Sequence, residues 1–109
     1  MTTFDDLRRL ALALPEAEEI VTWGSDLTWR VNGKIFAMSG EGADVVSVKA
    51  TLDAQEDLLA LDPATFSKAA YVGRYGWVNV RLAGVDEPML TELLERAWRQ
   101  TAPKRLLRG

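Results

Sequence analysis

One short segment of the chain, YVGRYGWVNV at residues 71–80, combines residue types that bind flat or anionic ligands. Two glycines frame Arg74 and Tyr75, and Trp77 follows at the start of an alternating strand pattern. A guanidinium group pairs with phosphates, and aromatic rings stack on bases or on cations. The segment is therefore the first candidate for a binding site. The alternative is a structural role, in which Trp77 packs beneath a loop or a helix.

Catalytic chemistry, by contrast, has few residues available. The chain contains no histidine and no cysteine, which removes the commonest general base near neutral pH, the commonest metal ligand and thiol nucleophiles. The GxSxG elbow of serine hydrolases and the phosphate loops GxxxxGK[ST] and GxGxxG do not occur. Glu16, Glu18 and Glu19 form an acidic cluster in a polar connection, where we expect solvent around the carboxylates rather than the burial that acid–base catalysis requires. We predict that the protein is not an enzyme and uses neither a metal nor a cofactor.

The charged residues are distributed unevenly. The net charge is −3, but residues 1–62 hold twelve acidic and five basic side chains, whereas residues 63–109 hold four acidic and eight basic ones. Because nucleic-acid binding draws much of its affinity from Lys and Arg on phosphates, only the second half favours that function. No apolar run reaches the roughly 18 residues of a membrane span, and the N-terminus has no signal-peptide pattern. These features predict a cytoplasmic protein without a membrane partner.

The first part of the chain predicts a helix followed by a β-hairpin. Apolar residues recur every three or four positions from Phe4 to Leu14, Thr3 is a suitable N-cap, and Pro15 ends the pattern. The segment PEAEE then reads as a polar connection. In LTWRVNGKIFAMS, residues 27–39, the dipeptide Asn-Gly suits a two-residue type I′ turn between two strands.

The turn predicts the register of this hairpin. Counting back from it pairs Trp29 with Phe36 and Leu27 with Met38. Alternation then makes one face of the hairpin apolar, and that face should meet the helices: Leu27, Trp29, Val31, Phe36 and Met38.

The remaining pattern completes a two-layer arrangement. VVSVK at residues 45–49 predicts a third strand, Asp53 is a candidate N-cap for a short helix, and Pro63 begins a further turn. WVNVRL at residues 77–82 predicts another strand, and Asp86 caps a long amphipathic helix. We therefore predict one α+β domain over the whole chain, with an antiparallel sheet and helices packed on one face.

Together these motifs resemble the MmcQ/YjbR family of small bacterial proteins. The resemblance rests on LALPEAEE, TWG, TWRVNGKIFAMSG and VSVK in the first half, and on YVGRYGWVNVRL and WRQTAPKRL in the second. It covers about residues 4–107. The resemblance implies a CyaY-like (frataxin-like) two-layer fold. It also implies DNA binding, because the family is described as carrying a double-wing motif.

Two functional hypotheses follow. In the first, the protein binds DNA without reading its sequence, with Tyr75 and Trp77 stacking on bases. The basic residues that would then contact phosphates are Arg30, Lys34, Arg74 and Arg81, with Lys104 and Arg105 as auxiliary contacts.

The second hypothesis is a non-enzymatic module that binds a protein segment or a small anionic ligand. Its cleft would lie near Trp23, Tyr71, Arg74 and Trp77. A positive face containing Arg74 and Arg81 would favour DNA. A buried Trp77 beside an Arg74 that points to solvent would instead remove this cleft.

Overall fold

The computed structural model of the chain describes residues 2–22, 24 and 26–107. Within those ranges, six strands and four helices follow one another along the chain. The strands are β1 (Glu18–Thr22), β2 (Asp26–Val31), β3 (Lys34–Gly40), β4 (Val45–Val48), β5 (Phe66–Lys68) and β6 (Val78–Arg81). The helices are α1 (Phe4–Leu12), α2 (Leu52–Leu61), α3 (Glu87–Thr101) and α4 (Lys104–Leu107). Two 3₁₀ turns, Val72–Tyr75 and Leu82–Gly84, flank β6.

The sheet is antiparallel throughout, in the order β1-β2-β3-β4-β6-β5. Its inner face and the apolar stripes of α1 and α3 form one hydrophobic core, whose members include Leu7, Trp29, Phe36, Val46, Val78, Val80, Leu90 and Leu94. Burial of these apolar surfaces supplies the main stabilising free energy of such a domain. The predicted two-layer α+β domain is confirmed.

Helix ends are determined by side chains that satisfy the free backbone N–H groups of the first turn. Thr3 caps α1 and Asp86 caps α3, as predicted. The N-cap of α2 is Thr51, whose hydroxyl accepts from the backbone of the third helical residue, so the assignment of Asp53 was wrong by two residues. Helix α1 ends at Leu12, short of the predicted boundary before Pro15.

The hairpin differs from its predicted register beyond the first pairs after the turn. A bulge between Trp29 and Arg30 shifts the pairing, so Trp29 lies opposite Ala37 rather than Phe36. Both Phe36 and Ala37 are fully buried, whereas Met38 moves to the outer face of the sheet. The prediction of Met38 as a core residue was wrong because one extra residue in a strand reverses the side-chain alternation after it.

Two strands were not predicted, and both lie at an edge of the sheet. β1 forms partly from the segment that was interpreted as a polar connection, and β5 forms from three residues after Pro63 that were interpreted as a turn. Each pairs with a neighbour on one side only. Among the helices within the described ranges, none has the length and hydropathy needed to cross a bilayer.

Candidate nucleic-acid interface

The loop between β5 and β6 contains two glycines that lie in close contact with neighbouring residues. The 3₁₀ turn Val72–Tyr75 ends at Gly76, whose φ of 104° lies in the region that favours glycine. A Cβ on Gly76 would stand 2.5 Å from the carbonyl oxygen of Ala50, just before α2. A Cβ on Gly73 would stand 2.5 Å from the side chain of Lys68. The loop therefore lies directly against its neighbours.

A buried glutamine on α2 forms hydrogen bonds with this loop. Gln55 is 5% exposed, and its Nε2 donates to the carbonyl oxygens of Gly73 and Trp77 at 2.8 and 2.9 Å. One amide group thus satisfies both ends of the Gly73–Trp77 segment. Sequence reasoning missed Gln55, although a polar residue three and four positions before Leu58 and Leu59 was an available signal.

The same loop presents a cation and an aromatic ring to solvent. Arg74 is exposed, and its guanidinium carbon lies 4.8 Å from the centroid of the Tyr75 ring. Tyr75 is 62% exposed, so one face of its ring carries the guanidinium while much of the remainder meets water. This contact is a cation–π interaction that orients both side chains before any ligand arrives.

Tyr71 is the most exposed large apolar residue of the described part of the chain. Its side chain is 94% exposed, and its backbone has φ 60° and ψ −60°. The backbone N–H of Val72 donates to the carbonyl oxygen of Ala70 at 2.6 Å, which closes a three-residue γ-turn. A non-glycine residue in this conformation is strained by about 1–3 kcal/mol. The fold therefore holds an aromatic side chain outward at a cost in backbone energy.

Trp77 does not share this exposure. Only 9% of its surface is accessible, so its ring packs inside the domain and offers no face to a ligand. Arg74 is exposed to solvent, so Tyr71, Arg74 and Trp77 do not form the hypothesised cleft. The fourth predicted member of that cleft, Trp23, lies outside the described residues.

Positive charge accumulates where β5 and β6 form one edge of the sheet. Residues 63–85 contain Lys68, Arg74 and Arg81 and no acidic residue. Within the described part of the chain, none of these three cations forms an ion pair with a carboxylate. We call these three residues, with Tyr71 and Tyr75, the basic edge.

The other two predicted phosphate contacts lie elsewhere in the sheet. Arg30 on β2 is separated from β6 by two strands, and its guanidinium donates to the hydroxyls of Thr28 and Thr22, both at 3.0 Å. Lys34 is exposed at the start of β3, beside the tight turn. Arg74 and Tyr75 are therefore in contact in the loop before β6, and Arg81 is the last residue of that strand, whereas Arg30 and Lys34 lie on β2 and β3.

Several further arginines are held by carboxylates. Arg8 contacts Glu19 at 2.9 Å, Arg9 contacts Glu87 at 2.6 Å, and Arg105 contacts Glu16 through two bonds of 2.8 Å. Hydrogen bonding to those carboxylates raises the pKa of each guanidinium. Arg105 is thus occupied within the protein rather than free for a phosphate, whereas Lys104 is exposed.

A separate cleft of about 260 Å³ opens between α2 and α3. Leu58, Met89 and Leu93 give it an apolar floor, and Lys49 and Asp57 lie at its rim. Across the described ranges, Lys49 forms no ion pair. The same ranges contain no group of three acidic residues that could hold a metal ion.

Comparison with known proteins identifies relatives along nearly the whole chain. The family model described as YjbR matches residues 12–100. Uncharacterized protein Rv2570 of Mycobacterium tuberculosis and uncharacterized protein Mb2600 of Mycobacterium bovis are each 28% identical over 127 aligned positions, covering 100% of this chain and 95% of theirs. The crystal structure of Deinococcus radiodurans protein DR2400, with family-model domain DUF419, is similar at a TM-score of 0.80. It is 26% identical, over 90% of this chain and 77% of that one.

Proposed function

Because the chain belongs to the YjbR family, we propose that it binds DNA through the basic edge, without catalysing a reaction. The family resemblance supplies the class of ligand, and the absence of histidine and cysteine supports a binding role over a catalytic one. DNA as the partner also requires that the protein work in the cytoplasm, as the lack of cysteine favours.

One observation carries this proposal. Residues 63–85 hold three basic and no acidic side chains in a protein with a net charge of −3, and they include β5, β6 and the loop between these strands. Arginines paired with carboxylates elsewhere contribute little to an external potential, whereas Lys68, Arg74 and Arg81 are available to phosphates. Contacts of this kind position a strand without reading its sequence.

The exposed tyrosines favour single-stranded over duplex DNA. Tyr71 and Tyr75 each present ring surface to solvent, with Arg74 over the Tyr75 ring, and unpaired bases can stack on such rings for about 1–3 kcal/mol each. In a duplex the bases are already stacked on one another, so only the phosphate contacts would remain. Trp77 is left out of this contact surface because it is buried.

Fluorescence anisotropy with labelled single-stranded and duplex oligonucleotides tests the proposal. We expect a dissociation constant on the order of 10⁻⁵ M near physiological salt. Three phosphate contacts to a single strand predict that the logarithm of affinity falls with the logarithm of salt concentration with a slope of about −2.

Variants locate the surface in the same assay. Arg74→Ala should weaken binding severalfold. The slope of the logarithm of affinity against the logarithm of salt concentration should become shallower by the contribution of about one phosphate contact. The matched control is Arg99→Ala, which removes an exposed arginine from α3, away from the basic edge. No binding of either oligonucleotide at about 50 mM salt, or equal loss in both variants, would refute the proposal.

A second candidate function is supported by the cleft between α2 and α3. An apolar floor of Leu58, Met89 and Leu93 with Lys49 at the rim suits a small carboxylate that carries an apolar chain. Such a ligand should raise the melting temperature of the wild-type protein nearly independently of salt, and Lys49→Met should remove the effect. A melting temperature that does not change with short-chain carboxylates would exclude this alternative.

A further inference from the structure

The outer face of the sheet contains a hollow of about 270 Å³ next to the basic edge. Strand pairing aligns Thr28, Met38, Ser47 and Asn79 in one row on the outer face of the four central strands. The segment Ala69–Val72 stands beside this row and closes one side of the hollow. The same segment leads directly into the turn that carries Arg74.

Hydrogen-bonding groups lie at two sides of the hollow. The hydroxyl of Ser47 donates to Oδ1 of Asn79 at 2.6 Å, and this bond orients the amide. Among the described residues, the Nδ2 group of Asn79 has no acceptor, so its two N–H groups remain available to a ligand. Asp26, on β2, supplies a carboxylate that forms no ion pair with a described Lys or Arg.

The remaining lining suits a flat ring. Met38 supplies a polarisable thioether on the sheet, and Ala69, Ala70 and Val72 supply an apolar wall without hydrogen-bonding side chains. The volume is below the roughly 300 Å³ at which pockets for drug-sized molecules begin, which limits the occupant to about one ring system. An aromatic heterocycle with polar edges meets all of these conditions.

We propose that the hollow, called here the base pocket, receives one unpaired nucleobase of a strand whose phosphates contact the basic edge. This inference rests on the proposed DNA binding and names the subsite that would give it base preference. Unpaired bases are recognised by hydrogen bonds to their polar edges and by packing against their faces.

The chemistry of the base pocket predicts which bases it prefers. The Asp26 carboxylate only accepts hydrogen bonds, so it suits an exocyclic amino group, and the Asn79 amide N–H groups suit a carbonyl or ring nitrogen. Cytosine offers both edges. Thymine has the same ring size but no amino group, so the Asp26 carboxylate would face a carbonyl oxygen of the base.

Three labelled single strands of equal length separate phosphate binding from base binding: oligo-dC, oligo-dT and an abasic strand with the same phosphates. For the wild-type protein we expect oligo-dC to bind about fivefold more tightly than oligo-dT, since one net hydrogen bond contributes about 1 kcal/mol. The abasic strand should bind most weakly. Asn79→Ala should reduce binding of oligo-dC while binding of the abasic strand stays unchanged. Asp26→Asn should reduce the preference for dC over dT.

The possible results distinguish the two proposals. If none of the three strands binds, the base pocket is refuted, and if the duplex oligonucleotide also fails to bind, the DNA-binding function is refuted with it. If all three bind equally and Asn79→Ala changes nothing, the function stands and the base pocket is refuted. If Asn79→Ala unfolds the protein, nuclear magnetic resonance spectroscopy of the wild-type protein tests the base pocket instead. The side-chain amide signals of Asn79 should then shift with oligo-dC but not with the abasic strand, and an identical response to both strands overturns the proposal.

Discussion

At the scale of single residues, the basic edge depends on side chains that contact no ligand themselves. Gln55 holds both ends of the Gly73–Trp77 loop, and Gly76 lets the loop lie against the backbone before α2. Arg74 and Tyr75 are therefore presented in a preset arrangement, which lowers the entropic cost of binding. Substitutions of Gln55 and of Tyr71 test independently whether this arrangement is formed before a ligand binds.

Replacing Gln55 by alanine should loosen the loop. Two buried carbonyl oxygens each lose one of two donors, because Gly73 also accepts from the backbone of Gly76 and Trp77 from that of Ala69. With about 0.5–1.5 kcal/mol for each lost bond, the free energy of unfolding should fall by about 1–3 kcal/mol. Hydrogen exchange at the amides of residues 73–77 should become faster, and DNA affinity should fall with it. Gln100→Ala, an exposed glutamine on α3, is the matched control and should change none of these quantities. Unchanged exchange in the Gln55 variant would show that the loop is held by its other contacts.

Tyr71 should show a conflict between stability and binding. Tyr71→Gly relieves the positive φ, and the net effect after the entropy cost of glycine should be a rise of about 1 kcal/mol in the free energy of unfolding. Binding of single-stranded DNA should weaken because the exposed ring is lost. Tyr71→Phe keeps both the ring and the strain, and it should match the wild type in chemical denaturation and in anisotropy. A less stable glycine variant would contradict the assignment of strain.

At the scale of elements, the short helix α4 is attached to the rest of the domain by an exposed ion pair. Arg105 makes two bonds of 2.8 Å to Glu16, in the connection between α1 and β1. Trp98 on α3 donates its indole N–H to the carbonyl oxygen of Pro15 at 3.0 Å. The connection is therefore held from both α3 and α4, which explains how the following residues enter the sheet as an ordered edge strand.

The ion pair predicts a local dependence on acid. The hydrogen bonds from Arg105 hold the pKa of Glu16 below its ordinary value of 4.5. Since the folded-state pKa is lowered, this contribution to stability is present above pH 4.5 and is lost as the pH falls through the folded-state value. Arg105→Ala should raise the pKa of Glu16 toward 4.5. Measuring that pKa by nuclear magnetic resonance checks the prediction, with Lys104→Ala as the control, and an unchanged value would contradict it.

At the scale of the whole molecule, one core joins the sheet and the helices. Its buried residues run from α1 through all central strands to α3, so no boundary divides the domain. The members of the basic edge are exposed residues at the ends of β5 and β6 and in the loop between them, outside this core. Binding residues can therefore vary without large changes in stability, whereas the core residues cannot.

A substitution in the core tests whether the whole domain unfolds in a single transition. Leu94 on α3 is 1% exposed, and Leu94→Ala should lower the free energy of unfolding by about 2–5 kcal/mol. Because the core is continuous, circular dichroism and tryptophan fluorescence should give the same denaturation midpoint in this variant. Exposed Leu61→Ala is the control and should shift that midpoint little. Separate midpoints for the two probes would show that the domain unfolds in parts.

The sequence by itself determined the features that depend on neighbours along the chain. The caps Thr3 and Asp86, the Asn-Gly turn and the alternation of β6 are local, so they predicted α1, α3, β6 and the turn of the hairpin, although not the hairpin's register beyond Arg30. The family resemblance, carried by local motifs, was likewise sufficient for the fold.

Only the tertiary structure decided features that depend on residues far apart in sequence. The bulge that moved Met38 outward and the two edge strands depend on pairing partners that local patterns do not reveal. Trp77 and Arg74 lie three positions apart, yet one is buried and the other is exposed, because packing against α2 orients the loop between them. The tertiary structure also decided which charged side chains are available for a ligand, since Arg105, for example, pairs with a carboxylate 89 positions away in the sequence.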